Sequence, residues 1–303
     1  MLEQRNFEVA HYPYKLDESP SIVRPAIVLQ FRLLLSELPI PEAQKKQVFC
    51  TFTSQFIEAE KPFILERNRR EKGDPKANLF YHNLNHTYQA GFDAMAIGNT
   101  LLRRKDHLAE NLTSEGMIGL AIAGLYHDIG YISFNPDSES FASHTKDHVD
   151  ASIKKASEFV TEIGYKGVLD NTKIVEMIRQ GIHNTHFPFT ETREDERRLM
   201  ITELPKDWRK EAMIVRLATQ IADLGGQVIR KDQYPDGTKA LRQELEATSP
   251  GLGFNIIGTD EELIENAKRF TIKMVIPSIG KSTNAFFGQN SIYDREWNKL
   301  LIK

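Results

Sequence analysis

The stretch Met117–Asp128, MIGLAIAGLYHD, constrains the fold of this chain more than any other. From Met117 to Tyr126 it carries no charge, and small residues alternate with large apolar ones. It is far short of the roughly 20 residues that cross a bilayer. Such a segment forms a helix buried on most sides, so the rest of the chain must supply the elements that surround it. Helical spacing of apolar residues supplies them: Ile22–Leu38, Ala43–Arg67, Asn78–Arg104, Lys146–Ile163, Thr172–His183, Lys210–Arg230 and Glu261–Ile276. Alternating strand patterns are few, and internal repeats and low-complexity tracts are missing. The expected class is all-α.

The punctuation fits that reading. Pro39 and Pro41 separate the first two helices. The charged run Glu66–Lys76 reads as a solvated connector ending in Gly-Asp-Pro, and Ile132–Ser143 reads as a loop. Tyr234-Pro-Asp-Gly reads as a turn, Thr248–Gly258 as a Gly-rich loop, and residues 231–260 together as an inserted loop. Pro277–Asn290 and the first 20 residues read as irregular. Residues 1–75 form an N-terminal helical segment packing on the core, and 76–303 form the histidine-bearing domain, the two making one compact unit. At 303 residues and 40% apolar content the chain can bury a sizeable core. A net charge of -3 speaks against a nucleic-acid binder but allows a small anionic substrate in a locally positive pocket. One cysteine, Cys50, rules out an intrachain disulfide and suits a reducing compartment. The first residues lack the apolar core of a signal peptide. The expectation is a cytoplasmic protein without membrane contact; oligomeric state is not legible.

The buried helix ends on His127-Asp128, which brings a carboxylate to the edge of the core. A buried unpaired Asp is costly and needs a cation or hydrogen-bond donors; an Asp just beyond the helix, with Gly130 as terminator, is the plainer alternative. Eight of the nine histidines lie between 82 and 186, where even placement would put about three, which favours a site. His82 and His86 are spaced i, i+4 and would project from one helix face, either as two ligands or as two exposed polar residues. Asp223 follows the buried stripe Ile214, Leu217, Ala218, Ile221.

The order His86, His127-Asp128, Asp223 resembles the HD-domain superfamily of metal-dependent phosphohydrolases over roughly residues 78–230. More narrowly, YHNLNH at 81–86 resembles the YHNxxH motif of class I cyclic-nucleotide phosphodiesterases. Ala222-Asp-Leu, the stretch Ile182–Thr185, and IPSIGK at 276–281 followed by Gln289 fall in that family's order. The resemblance implies a helical bundle of the HD-domain, phosphodiesterase-like type. It implies one or two divalent metal ions (Zn, Mg, Mn or Fe) on His86, His127, Asp128 and Asp223, with Asp128 able to bridge to a second ion. It implies a water made nucleophilic at neutral pH, and His82 as the general acid. Gln289 would hydrogen-bond a base, with Phe286 or Phe287 packed on it and Thr185 nearby. Where the family continues HD with two residues and a His, this chain has Tyr131, which puts the second-metal environment in question. His148 and His183 are candidates for a second metal or for supporting roles.

The expected function is hydrolysis of a phosphodiester, a 3′,5′-cyclic nucleotide, with a small-molecule nucleotide as partner. The alternatives are an HD-type nucleotidase or phosphomonoesterase, a di-iron HD oxygenase using His148 and His183, and a non-catalytic nucleotide sensor.

Overall fold

The computed structural model describes residues 20–104, 108–132, 147–162, 164–185, 198–225, 234–252, 258–270, and Ile272, Lys273 and Pro277. In chain order the helices are α1 (Pro20–Glu37), α2 (Glu42–Glu71), α3 (Leu84–Arg104), α4 (Ser114–Tyr126), α5 (His148–Glu162), α6 (Asn171–His183), α7 (Arg209–Gln220), α8 (Tyr234–Leu252) and α9 (Asp260–Phe270). Single 3₁₀ turns occupy Ala109–Asn111 and Ile129–Ile132, and a π turn, Ile221–Gly225, continues α7. Among the described residues there is no strand, and no helix is long and apolar enough to cross a membrane.

Helix α4 is the axis. Ser114 and every residue from Gly116 to Tyr126 are buried, and α3, α6, α7 and α5 pack around it. Its small residues set how closely the neighbours approach. A Cβ on Gly119 would lie 2.5 Å from Met177 Cβ of α6, and one on Gly124 would lie 2.8 Å from Ala94 Cβ of α3. The N-terminus of α4 is fixed from α7: Glu211, itself buried, accepts hydrogen bonds from the Thr113 backbone N–H (2.5 Å) and hydroxyl (2.8 Å). Thr113 in turn accepts from Gly116 N–H at 3.3 Å, as an N-cap does.

One hydrophobic core runs from Val23 and Phe31 of α1, through Phe52 and Phe56 of α2 and the whole of α4, to Val215 and Ala218 of α7. A polar knot reaches from its interior to the surface: buried Glu60 accepts from exposed Arg24 at Nε (2.9 Å) and Nη2 (2.7 Å) and from the buried Tyr88 hydroxyl.

Three expectations need correction. The Glu66–Glu71 part of the charged run is the last turns of α2, not a connector. Its charges pair along the helix (Arg67 with Glu71 at 2.8 Å), and left-handed Gly73 (φ 78°) closes the end. Helix α3 starts at Leu84, not Asn78, because Asn83 caps it, accepting from Asn85 N–H (2.9 Å) and His86 N–H (3.2 Å). Residues 234–252, expected as a turn and a loop within an insertion, are helix α8. Pro235 falls in its first turn, where a missing N–H costs nothing, and Asp236 favours the helix N-terminus.

Candidate metal centre

Three elements converge on one point. Helix α3 offers His86, the turn after α4 offers His127 and Asp128, and the π turn after α7 offers Asp223. His86, His127 and Asp128 are 3%, 1% and 4% exposed. Their ligand atoms all lie within 4.8 Å of one another, the arrangement in which such side chains could hold a metal ion. The two Nε2 atoms are 3.3 Å apart. Asp128 Oδ2 is 3.1 Å from His86 Nε2 and 3.0 Å from His127 Nε2. Asp223 Oδ1 lies 3.4 Å and 3.6 Å from the same two nitrogens.

Local structure explains the aim of these side chains. His127 follows directly on α4, and its Nδ1 is 3.0 Å from the Gly124 carbonyl. That oxygen can only accept, so Nδ1 carries a proton, and in the neutral ring the Nε2 lone pair faces inward. The π turn widens the end of α7 at Asp223, a device that re-aims a side chain without ending the helix.

The centre fits a divalent cation. Two imidazole nitrogens 3.3 Å apart need either a shared proton or a metal ion between them. Asp128 Oδ2 is buried and its near neighbours are the two imidazole nitrogens at 3.0 and 3.1 Å, an arrangement a cation would answer. Charge balance leads the same way. Burial pushes the His127 ring toward neutrality, yet Asp128 and Asp223 hold its pKa well above the ordinary value. Burial raises Asp128, but the charges of His127 and His82 bring it well below the usual carboxylate range. Burial likewise opposes ionisation of Asp223, and its contacts with His127 and His86 lower it to about 2. Carboxylates and imidazole nitrogens in one dry pocket are a ligand set for Zn²⁺, Mn²⁺ or Fe²⁺.

His82 does not share a helix with His86. It precedes α3, in the bend that Asn83 closes, so the expected pairing on one helix face is incorrect. The two rings nevertheless stand 5.7 Å apart and perpendicular. His82 Nδ1 is bonded to Glu244 Oε1, and Glu244 Oε2 accepts from the backbone N–H groups of Tyr81 (2.9 Å) and His82 (3.1 Å). Burial works against protonation of His82, but Glu244 first and Asp128 second raise its pKa to about 9. Its other face stacks on Tyr131 at 4.2 Å.

The remaining sequence candidates fall elsewhere. Tyr131 lies in the turn after Asp128, and His148 opens α5, stacked on the far face of Tyr131 at 4.2 Å. His183 is the last residue of α6 and is not in the ligand group. Thr185 is buried with its hydroxyl donating to the Ile182 carbonyl at 2.8 Å, which ties it to the end of α6. Gln289, Phe286 and Phe287 lie outside the described residues.

Glu244 was missed by sequence reasoning, because its stretch read as an insertion. The available signal was its register: on α8 it lies three residues from Leu241 and seven from buried Gly237, an acid on the inward face. Comparison with known protein families, with curated proteins and with solved structures returns no match.

Proposed function

We propose that this chain is a metal-dependent phosphohydrolase of the HD type that cleaves a phosphodiester, with a 3′,5′-cyclic nucleotide as substrate. One observation carries the reading: the convergent His86, His127, Asp128 and Asp223 group stands beside a separate, half-buried histidine, His82, whose Nδ1 is bonded to Glu244 and whose pKa that carboxylate raises. A metal centre alone has many uses. A metal centre next to a positioned proton donor suits hydrolysis of a bond whose leaving group is a poor alkoxide.

A divalent ion, when bound, supplies Lewis acidity and a nucleophilic water at neutral pH. His86, His127, Asp128 and Asp223 are the side chains that would hold it, and their burial would keep competing water away. As water adds to phosphorus and the bond to the sugar oxygen breaks, His82 Nε2–H gives its proton to that oxygen. Glu244 holds Nδ1 on the opposite side of the ring, which fixes the ring and keeps it charged until the transfer. General acid catalysis of this kind contributes roughly 10² to 10⁴ in rate. A di-iron oxygenase would need both His148 and His183 as ligands; the His148 ring is stacked on Tyr131.

The test is an assay of the purified protein, after metal analysis, with Mn²⁺ or Mg²⁺ against cyclic AMP, cyclic GMP and a chromogenic phosphodiester. Turnover of a cyclic nucleotide that EDTA abolishes supports the reading. Phosphate release from nucleoside monophosphates with every diester left intact assigns the chain to the nucleotidases instead.

A further inference from the structure

The ring of His82 has to be aimed, and its own side chain does not aim it. The last torsion of a histidine is broad, so the plane of the ring is set by what surrounds it. The bond from Nδ1 to Glu244 holds one atom of the ring. A hydrogen bond is soft in angle and leaves the ring room to tilt. A flat neighbour removes that freedom, and Tyr131 is one. The two rings lie face to face, 4.2 Å apart with 21° between planes. Tyr81 meets His82 edge-on at 4.9 Å, and His86 stands perpendicular to it at 5.7 Å, so neither offers a second face.

Tyr131 is itself held in place. His148 stacks on its other face at 4.2 Å with 15° between planes, and both residues are buried. Tyr131 N–H donates to the Asp128 carbonyl at 3.0 Å, which closes the turn between them. Gly130 N–H donates to Ser152 Oγ of α5 at 2.8 Å, and a Cβ at Gly130 would run into the His148 carbonyl oxygen. The first turn of α5 is therefore pressed against the turn that carries Tyr131. The Tyr131 ring cannot tilt without moving His148 or that turn. The same short turn carries Asp128 at its start and the plate under His82 at its end.

We propose that Tyr131 is a positioning residue for His82: its ring face sets the plane of the imidazole, as Glu244 fixes one edge, and the two together aim Nε2 at the leaving oxygen. The proposal rests on the reading of His82 as general acid. Tyr131 acts through His82 alone, and the ring face, not the hydroxyl, is the part that acts.

The experiment compares full-length wild type, Tyr131→Leu, Tyr131→Phe, His82→Ala and the double variant Tyr131→Leu/His82→Ala. Each is checked for helix content by circular dichroism and for bound Mn²⁺. Two substrates are used: the cyclic nucleotide, whose alkoxide must be protonated, and a nitrophenyl phosphodiester, whose leaving group departs without a proton. Tyr131→Leu is expected to lower kcat for the cyclic nucleotide by about 10- to 100-fold, the cost of a misplacement of roughly 1 Å. Its KM and Mn²⁺ content should hold, and its nitrophenyl rate should change far less. Tyr131→Phe restores the ring face and should recover the loss. Adding Tyr131→Leu to His82→Ala should cost nothing more, because the two changes remove one effect. Wild-type turnover in Tyr131→Leu overturns the proposal. So does an equal loss on both substrates, a loss that persists without His82, or no recovery in Tyr131→Phe. Should the Leu variant not fold, nuclear Overhauser contacts between the His82 and Tyr131 ring protons of Mg²⁺-loaded wild type decide; their absence overturns the stack. If wild type cleaves no diester, or His82→Ala is as active as wild type, the general-acid reading fails and the proposal with it. An impaired His82→Ala beside an unimpaired Tyr131→Leu sinks the proposal alone.

Discussion

Glu66 offers a measurable consequence of how the segment before α3 is held. Its side chain is buried on α2 and accepts a hydrogen bond from the Leu79 backbone N–H at 3.0 Å, while Arg70, one turn further on, donates to the Leu79 carbonyl. Burial raises the Glu66 pKa, nearby Arg70 and the Leu79 N–H lower it, Glu244 raises it, and the balance lies at about 7 against an ordinary 4.5. The folded protein therefore binds this proton more tightly than the unfolded chain. Between those two values the native state holds more protons, so stability falls as pH rises. A shift of roughly 2.5 units corresponds to about 3.4 kcal/mol in full. Of this, about 2.5 kcal/mol is lost between pH values of roughly 5 and 8. Glu66→Gln keeps an acceptor for Leu79 and has no proton to lose. Urea unfolding of wild type and variant across that range isolates the effect, because all other titrating groups cancel in the difference. The Gln variant should gain about 2.5 kcal/mol on wild type from the acid to the basic end. Parallel curves would refute the argument.

Other perturbations separate the parts of the site. Asp128→Ala should weaken Mn²⁺ binding, measured by chelator competition, by more than the 10- to 100-fold typical of an outer-shell change, and activity should vanish with it. His82→Ala should bind metal as wild type does and lose about 10² to 10⁴ in turnover; full activity would remove His82 from the mechanism. Glu244→Gln withdraws the largest influence raising the His82 pKa, so the basic limb of the pH–rate profile, expected near the wild-type value of about 9, should move down while metal content stays fixed. Gly130→Ala drives a methyl group into the His148 carbonyl and should lower stability by about 1–3 kcal/mol, read as a fall in melting temperature.

The buried run Met117–Tyr126 announced its own place, because nothing but a surround of helices could accommodate it. Thr113 and Asp170, which cap α4 and α6, are polar residues whose local bonds follow from sequence position. Long-range pairings were not legible. That Glu211 would reach Thr113, or Glu60 would join Arg24 to Tyr88, depends on which helix faces meet, and neither has a local signature. At the site, the i, i+4 spacing of His82 and His86 suggested a shared helix. A single Asn at 83, read as part of the motif and not as a cap, moved the helix start past His82. The 231–260 stretch was misread for a similar reason, since Pro and Gly mark turns in one context and a first helical turn in another. Both errors fell on the His82 side of the site; the potential metal ligands, carried by strongly periodic helices, were the easier half.

A histidine proposed to donate a proton from outside any helix needs another source of rigidity, and residues 79–83 have one at nearly every peptide group. Leu79 is held at its N–H by Glu66 and at its carbonyl by Arg70. The Phe80 carbonyl accepts from the Asn83 side chain at 2.7 Å. Tyr81 and His82 donate their N–H groups to Glu244, and the Asn83 carbonyl accepts from Thr87 N–H at 3.1 Å as α3 begins. The anchors come from α2, α3 and α8, elements far apart in the sequence, so the bend cannot relax unless one of these helices moves. Placement within about half an ångström is what a proton transfer requires. An irregular segment whose polar groups are satisfied from three directions meets that demand as a helix would. It also lets the ring of His82 face the centre perpendicular to His86, where side chains on successive turns of one helix would have pointed the same way.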